Sequence, residues 1–357
     1  MSRRDGAGVA ETATVIQPAF RPRSVRSAAG ASVAAASRFA MPKAPAEPVE
    51  AMALSGLAAL FDPASGTGHP PLAALVDVWG VLTDGARAFA PAIAALKALR
   101  ARGVPVALVS NTSRRGGELA RLLEGQGLSS ELYDAVITGG GLAFGHLSAE
   151  VARRRAGGGD ALRCLIVGTQ PGGDWAREAG LRCVASVDEA DLLLGFGVLG
   201  EGDPRPGAPA PAPDIAVRRL LRTAARSGLP LILTNADTSV RIAGALHLGI
   251  GALAPLYQSL GGTVRIYGKP GADMFAAALD AVGVADPGHV VMIGDTLATD
   301  IAGARDVGIV TVLVTGAGSH ADELHVGVGG TFCAEALARL ARRARVMPHH
   351  VMEAMQW

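Results

Sequence analysis

Four residues, Leu75-Val76-Asp77-Val78, constrain this chain more than any others. They form an apolar run, and such a run reads as a parallel strand buried on both faces. Pro70-Pro71 precedes it and Gly80 follows it. One carboxylate sits inside the run. Burying a carboxylate is costly unless it is paired or holds a metal. In an open parallel sheet, ligands gather at the carboxyl ends of strands. Asp77 is therefore placed as a nucleophile or metal ligand at a strand end. The plainer alternative is an Asp that caps a strand exit.

The rest of the chain must supply that sheet. At 357 residues, 49% hydrophobic and 18% charged, it is long and apolar enough for a large core and more than one domain. A net charge of +1 leaves no footprint for nucleic acid or an anionic membrane. No apolar run is long enough to span a bilayer. Cys164, Cys183 and Cys333 are far apart in sequence without CxxC spacing. That argues against a disulfide framework or zinc site and suits a reducing, cytoplasmic setting. Residues 1–50 are rich in Ala, Ser, Pro and Arg without an apolar period, and read as a disordered extension, with Met41 and Met52 as alternative starts.

From there strands and helices alternate. Strands are expected at Leu72–Val78, Val104–Val109 and Asp134–Ile137, with helices at Pro91–Arg102 and Glu118–Glu124 between them. This gives a first core segment, 51–141. The pattern restarts over 142–263, with strands near Arg163, Val184, Asp191 and Leu229. A proline-rich loop at Gly200–Asp214 and a helix at Ile215–Arg226 complete this inserted domain. The core resumes over 264–345, with strands at Val264–Tyr267, His289–Ile293 and Ile309–Val314. A basic helix from Ala334 runs towards Trp357, and 346–357 is its tail. Repeated strand-helix units of this kind imply a doubly wound parallel α/β sheet with an inserted α/β domain.

Four groups now stand at strand ends: Asp77; Ser110-Asn111; Lys269; and Asp295 with Asp300. Each suits a part of phosphoryl transfer. A carboxylate can attack phosphorus. Two carboxylates, a carbonyl and waters suit octahedral Mg²⁺. A hydroxyl, backbone N–H groups and an ammonium can neutralise the equatorial oxygens. Singly, each has a plainer role: a turn for Ser110-Asn111, a solvated Lys269, a turn for Asp295, a helix N-cap for Asp300.

These residues also carry a resemblance. Asp77-Val78-Trp79-Gly80-Val81-Leu82, Leu108-Val109-Ser110-Asn111-Thr112, Tyr267-Gly268-Lys269-Pro270 and Ile293-Gly294-Asp295-Thr296-Leu297-Ala298-Thr299-Asp300 resemble, in order, the four motifs of the haloacid dehalogenase superfamily. The resemblance is to its class IIA, the nucleotide-phosphatase-like and 4-nitrophenylphosphatase-like branch. The insert resembles a class II cap, and Asn235-Ala236-Asp237 its Asn-Pro-Asp element. The resemblance implies a hydrolase with Asp77 as nucleophile. Mg²⁺ would be held by Asp77, the Trp79 carbonyl and Asp295. Ser110, Asn111 and Lys269 would bind the phosphoryl group, with Asn235 and Asp237 on the substrate and Asp300 near the metal.

Trp79 stands where the family's phosphatases carry an acid two residues after the nucleophile, as in a tryptophan-bearing subgroup of the class. It can supply a carbonyl but no proton, and general acid–base help is typically worth ~10²–10⁴-fold. Weak turnover on a small phosphorylated metabolite is expected. Two other readings stand beside it: a phosphometabolite-binding protein without turnover, and a metal-independent 2-haloacid dehalogenase. No nucleic-acid or membrane partner is expected, and a homo-oligomer is compatible with the sequence.

Overall fold

The computed structural model describes residues 50–62, 70–169, 171–203, 205, 212–242, 245–326 and 331–357. Nearly all of the expected extension 1–50, and much of the proline-rich stretch, lie outside them. Seven strands form one parallel sheet in the order Met52–Ala53, His350–Met352, Val310–Val314, Val290–Gly294, Ala73–Val76, Val106–Ser110, Ala135–Thr138. Side chains alternate between its faces, as strand geometry requires. Ala74, Val76, Val291 and Ile293 pack with Leu96 and Leu99 of the helix Ala90–Ala101, and with Leu119 and Leu123 of Gly116–Gly125. Ala73, Leu75, Val290 and Met292 pack with Met274, Phe275 and Ala278 of Ala272–Val282. Coverage on both faces explains why Ala73–Val76 is wholly buried and apolar.

A second parallel sheet has the order Val264–Ile266, Leu231–Leu233, Leu192–Phe196, Arg163–Gly168, Arg182–Cys183. It has its own core, with Leu193, Leu221, Leu231 and Tyr257 fully buried. Beside it, Ser239–Ile242, Ala245–Gly249 and Val198–Asp203 make a three-stranded antiparallel sheet. The start of the expected loop at Gly200–Asp214 is therefore strand.

Two expectations need correction. Val264–Ile266 does not open the returning core: Val264 pairs with Leu231, making it the edge strand of the five-stranded sheet. Three residues on a half-exposed edge carry no signal of which sheet they join. The basic helix does not continue to Trp357. It spans Ala334–Ala344, turns at Arg345 with φ 56°, and gives way to His350–Met352 in the main sheet. Pro348 lacks the amide hydrogen a helix needs. Trp357 then stacks 5.4 Å from Phe61, with Arg102 over its ring. Cys164 and Cys183, far apart in sequence, are register partners on adjacent strands.

An 18-residue helix, Gly139–Ala156, crosses position 142. Thr138 caps it, its hydroxyl accepting from the Gly141 amide at 2.9 Å. A Cβ on Gly140 would lie 1.9 Å from the Ser113 carbonyl oxygen, and one on Gly139 would lie 2.7 Å from that of Thr234. Both obstacles are backbone. Gly140→Ala is therefore expected to destabilise the fold by at least about 2 kcal/mol, seen as a lower denaturant midpoint at unchanged slope. An unchanged midpoint would show that the close approach is dispensable. Among the described residues no helix is long and apolar enough to cross a membrane.

Candidate active site

The parallel register sets the strand ends side by side. Val76 is paired with Ile293 on one flank and Leu108 on the other. Asp77, Asp295 and Ser110-Asn111 thus leave the sheet at one edge, and the Asp77 amide donates to the Ile293 carbonyl at 2.8 Å. Asp77, Asp295 and Asp300 are 5%, 4% and 1% exposed, and each offers a carboxylate oxygen within 4.8 Å of the others.

Lys269 holds two of these acids. Its side chain is 2% exposed, and its ammonium donates to Asp77 Oδ1 and to the Val109 carbonyl at 2.8 Å. It also pairs with Asp300 Oδ1 at 2.6 Å. Burial alone would lower the pKa of this ammonium. Asp300 and Asp77 more than offset that and hold it above its ordinary value. Asp77 is raised well above the ordinary carboxylate value by burial. Lys269 pulls it back, and Asp300 and Asp295 push it up again.

Asp300 braces the turn after Asp295. Its Oδ2 accepts from the amides of Asp295 at 3.2 Å and Thr296 at 3.1 Å. A Cβ on Gly294 would stand 2.3 Å from the Asp300 Cβ, so that approach needs glycine. Asp295 is held by a segment that sequence reasoning did not single out. The Ser319 amide and hydroxyl donate to its Oδ2 at 2.6 and 2.9 Å, and the Thr296 hydroxyl to its Oδ1 at 2.9 Å. Burial and the neighbouring Asp300 still push its carboxyl up to about 6, against these donors.

The expected phosphate-binding residues divide. The Ser110 hydroxyl is buried and has no partner among the described residues. The Asn111 side chain is engaged: its Oδ1 accepts from the Lys269 amide at 2.6 Å, and its Nδ2 donates to the Lys269 carbonyl and to Asp237 Oδ1, each at 3.0 Å. Asn235 faces Ser113 instead of the acid cluster. Its Nδ2 donates to the Ser113 hydroxyl at 2.9 Å, and its Oδ1 accepts from the Asp237 amide at 3.1 Å. Asp237 is half-buried. Burial pushes its carboxyl up to about 6, with Asn111 and Lys269 pulling the other way. Trp79 is half-buried and packs against the apolar cluster on the Leu96 side of the sheet.

Ser113 joins the two sheets. Its hydroxyl also meets the Thr234 hydroxyl at 2.7 Å and accepts from the Gly197 amide at 2.9 Å. Both come from the five-stranded side.

Models for known families match two stretches of the chain. That for haloacid dehalogenase-like hydrolases covers residues 74–182, and a HAD-hydrolase-like model covers 266–340. Haloacid dehalogenase-like hydrolase domain-containing protein 2 of Homo sapiens is 28% identical over 260 residues, 70% of this chain and 87% of that protein. Dihydroxyacetone phosphatase of Corynebacterium glutamicum is 35% identical over 88 residues, 24% of this chain, and the match spans only 32% of that relative. The crystal structure of a haloacid dehalogenase-like hydrolase from Brucella suis 1330 aligns with TM-score 0.62 and 28% identity, over 80% of this chain and 96% of that one. Matched in sequence over both stretches and in fold over most of its length, the chain belongs to the haloacid dehalogenase-like hydrolase superfamily.

Proposed function

We propose that this hydrolase is a Mg²⁺-dependent phosphatase of small phosphorylated metabolites, working through an aspartyl-phosphate on Asp77. One observation carries the reading: three buried carboxylates each offer an oxygen within 4.8 Å of the others, beside a paired lysine and a buried hydroxyl with no partner among the described residues. An all-oxygen acidic donor set suits a hard divalent cation. Asp77, the Trp79 carbonyl and Asp295 would hold it, with Asp300 behind. The bound ion would draw charge from the phosphoryl oxygens and screen the carboxylates from one another. The protein residues do the rest. Asp77 attacks phosphorus. Ser110 and Lys269 hold the equatorial oxygens. Asn111, its side chain already engaged, sets the height of Lys269 through that residue's backbone.

The insert, about 142–263 with the edge strand Val264–Ile266, is read as a cap that closes over the strand ends and chooses the substrate, with Asn235 and Asp237 on its inner loop. The name of the Corynebacterium relative, a phosphatase of a small phosphorylated compound, agrees with this substrate class. The wide sequence spacing of the three cysteines, without CxxC, accords with a cytoplasmic setting.

Trp79 favours a second reading, a protein that binds the phosphometabolite and does not turn it over, because an indole packed on the core donates no proton to a leaving group. Phosphate release across a panel of phosphorylated metabolites separates the two. Release with Mg²⁺, loss in EDTA and recovery on adding Mg²⁺ back are expected. Mg²⁺-dependent binding of beryllofluoride without any release would favour the binder. Halide release from a 2-haloacid in EDTA, with no phosphate release, would replace both.

A further inference from the structure

Resting on the phosphatase reading, we infer that Asp237 is the acid–base residue of this site, giving a proton to the leaving oxygen and taking one from the attacking water. The position that would otherwise carry that group holds Trp79, whose side chain packs against the core. Asp84, the other nearby acid, is not available. It is exposed, and its Oδ1 accepts from the Ala86 and Arg87 amides at 2.8 and 2.9 Å. Those bonds hold its carboxyl below the usual range, suiting a turn and not a proton donor.

Asp237 differs from the other acids of the site in three ways. It is not held by Lys269 or by the Ser319 segment. It reaches the site from the five-stranded side: it hydrogen-bonds Asn111, the residue after the unpartnered Ser110. It is also partly open, while Asp77, Asp295 and Asp300 are buried. Only its Oδ1 is engaged, by one donor. Its second oxygen has no partner among the described residues.

Its backbone is fixed. The Gly251 amide donates to the Asp237 carbonyl at 3.0 Å, and a Cβ on Gly249 would come within 2.0 Å of that oxygen. The attacking and leaving oxygens in phosphoryl transfer lie roughly in line. With Asp77 attacking from the main sheet, the leaving oxygen points away from that sheet, towards the side from which Asp237 enters. Its carboxyl, pushed up to about 6, lies nearer the operating range of an acid–base group than an ordinary aspartate.

The chemistry balances. An Asp77 oxygen bonds to phosphorus as the ester P–O bond breaks. That bond's electron pair stays on the leaving oxygen, which takes the Asp237 proton and departs as the alcohol. The Asp237 carboxylate then takes a proton from water as the water oxygen bonds to phosphorus. The P–O bond to Asp77 breaks with its pair returning to the carboxylate, and phosphate leaves.

The test compares leaving groups. Nitrophenolate leaves without a proton, whereas an alkoxide needs one. Asp237→Asn keeps the shape and can keep an acceptor for Asn111. It is expected to lower kcat/KM for both 4-nitrophenyl phosphate and glycerol phosphate. The loss on the alkyl ester should exceed that on the aryl ester by about tenfold or more. Asp237→Glu, which keeps the proton, should recover part of that difference. Equal losses on the two esters, or none on either, would overturn the assignment. The wild-type arm tests the parent reading: no phosphate release from either ester removes the phosphatase and its acid together, whereas wild-type turnover with equal losses removes only Asp237.

Discussion

Asp77→Asn is expected to end phosphate release. An amide is neither a nucleophile towards phosphorus nor a useful ligand for a hard cation, so a loss of at least about 10⁴-fold should follow. The fold should survive, because the amide oxygen can still accept from Lys269 and neutralising one of three clustered carboxylates relieves repulsion. Wild-type Asp77 titrates above its ordinary value of 3.8, chiefly because it is buried. Attack needs the carboxylate, so activity should fall as pH drops through that raised pKa, on the neutral side of where a free aspartate would titrate. The acid limb should move to lower pH when Mg²⁺ is saturating, since a cation favours the charged form. Steady-state kinetics from pH 4 to 8 at two Mg²⁺ concentrations would check this. Residual Mg²⁺-dependent turnover by Asp77→Asn near the wild-type rate would mean that another group attacks.

The acids of this site were legible because their cause is local. A carboxylate in an apolar run, as at Asp77, or after a strand-ending glycine, as at Asp295, violates a simple rule of burial, and the violation points to chemistry. Lys269 was legible as a strand-end group in Tyr267-Gly268-Lys269-Pro270, but its two acid partners were not. What holds the acids in place was hidden, because its cause is distant. Ser113 meets Asn235 across 122 residues and Gly197 across 84. Ser319 reaches Asp295 only because the segment after Val310–Val314 folds back on it. No local period records such contacts.

The same holds for the fold. The five central strands of the main sheet could be read because they are apolar and separated by helices. Glycine disfavours helices, yet Gly139-Gly140-Gly141 opens a helix of 18 residues. The reason is steric and lies elsewhere, in the carbonyls of Ser113 and Thr234 pressed against it. The C-terminal strand His350–Met352 is three residues long, too short for an alternation to show, and it exists because Val310–Val314 offers it a partner.

Lys269→Met should produce the second large effect, on stability as well as on rate. The ammonium is buried between Asp77 and Asp300 and also donates to the Val109 carbonyl. Methionine fills similar space but leaves two buried carboxylates, with Asp295 close by, and no cation. Removing one partner of a buried ion pair typically costs about 3–5 kcal/mol, because the remaining charge is uncompensated. The sign with pH follows. Lys269 lowers the pKa of Asp77, so without it Asp77 rises further above its unfolded value. A folded-state pKa above the unfolded one contributes stability below the unfolded pKa, and that contribution is lost as pH rises through the folded one. The deficit of Lys269→Met against wild type should therefore be small near pH 4 and grow towards pH 8. Phosphate release at neutral pH should fall by about 10²–10³-fold, since the nucleophile is protonated more often and one stabilising charge is gone. Denaturant titrations of both proteins in EDTA across that range measure the first effect, and initial rates with Mg²⁺ the second. A deficit that stays constant with pH would mean that Lys269 contributes through packing, and that the charge of Asp77 is balanced by something other than this lysine.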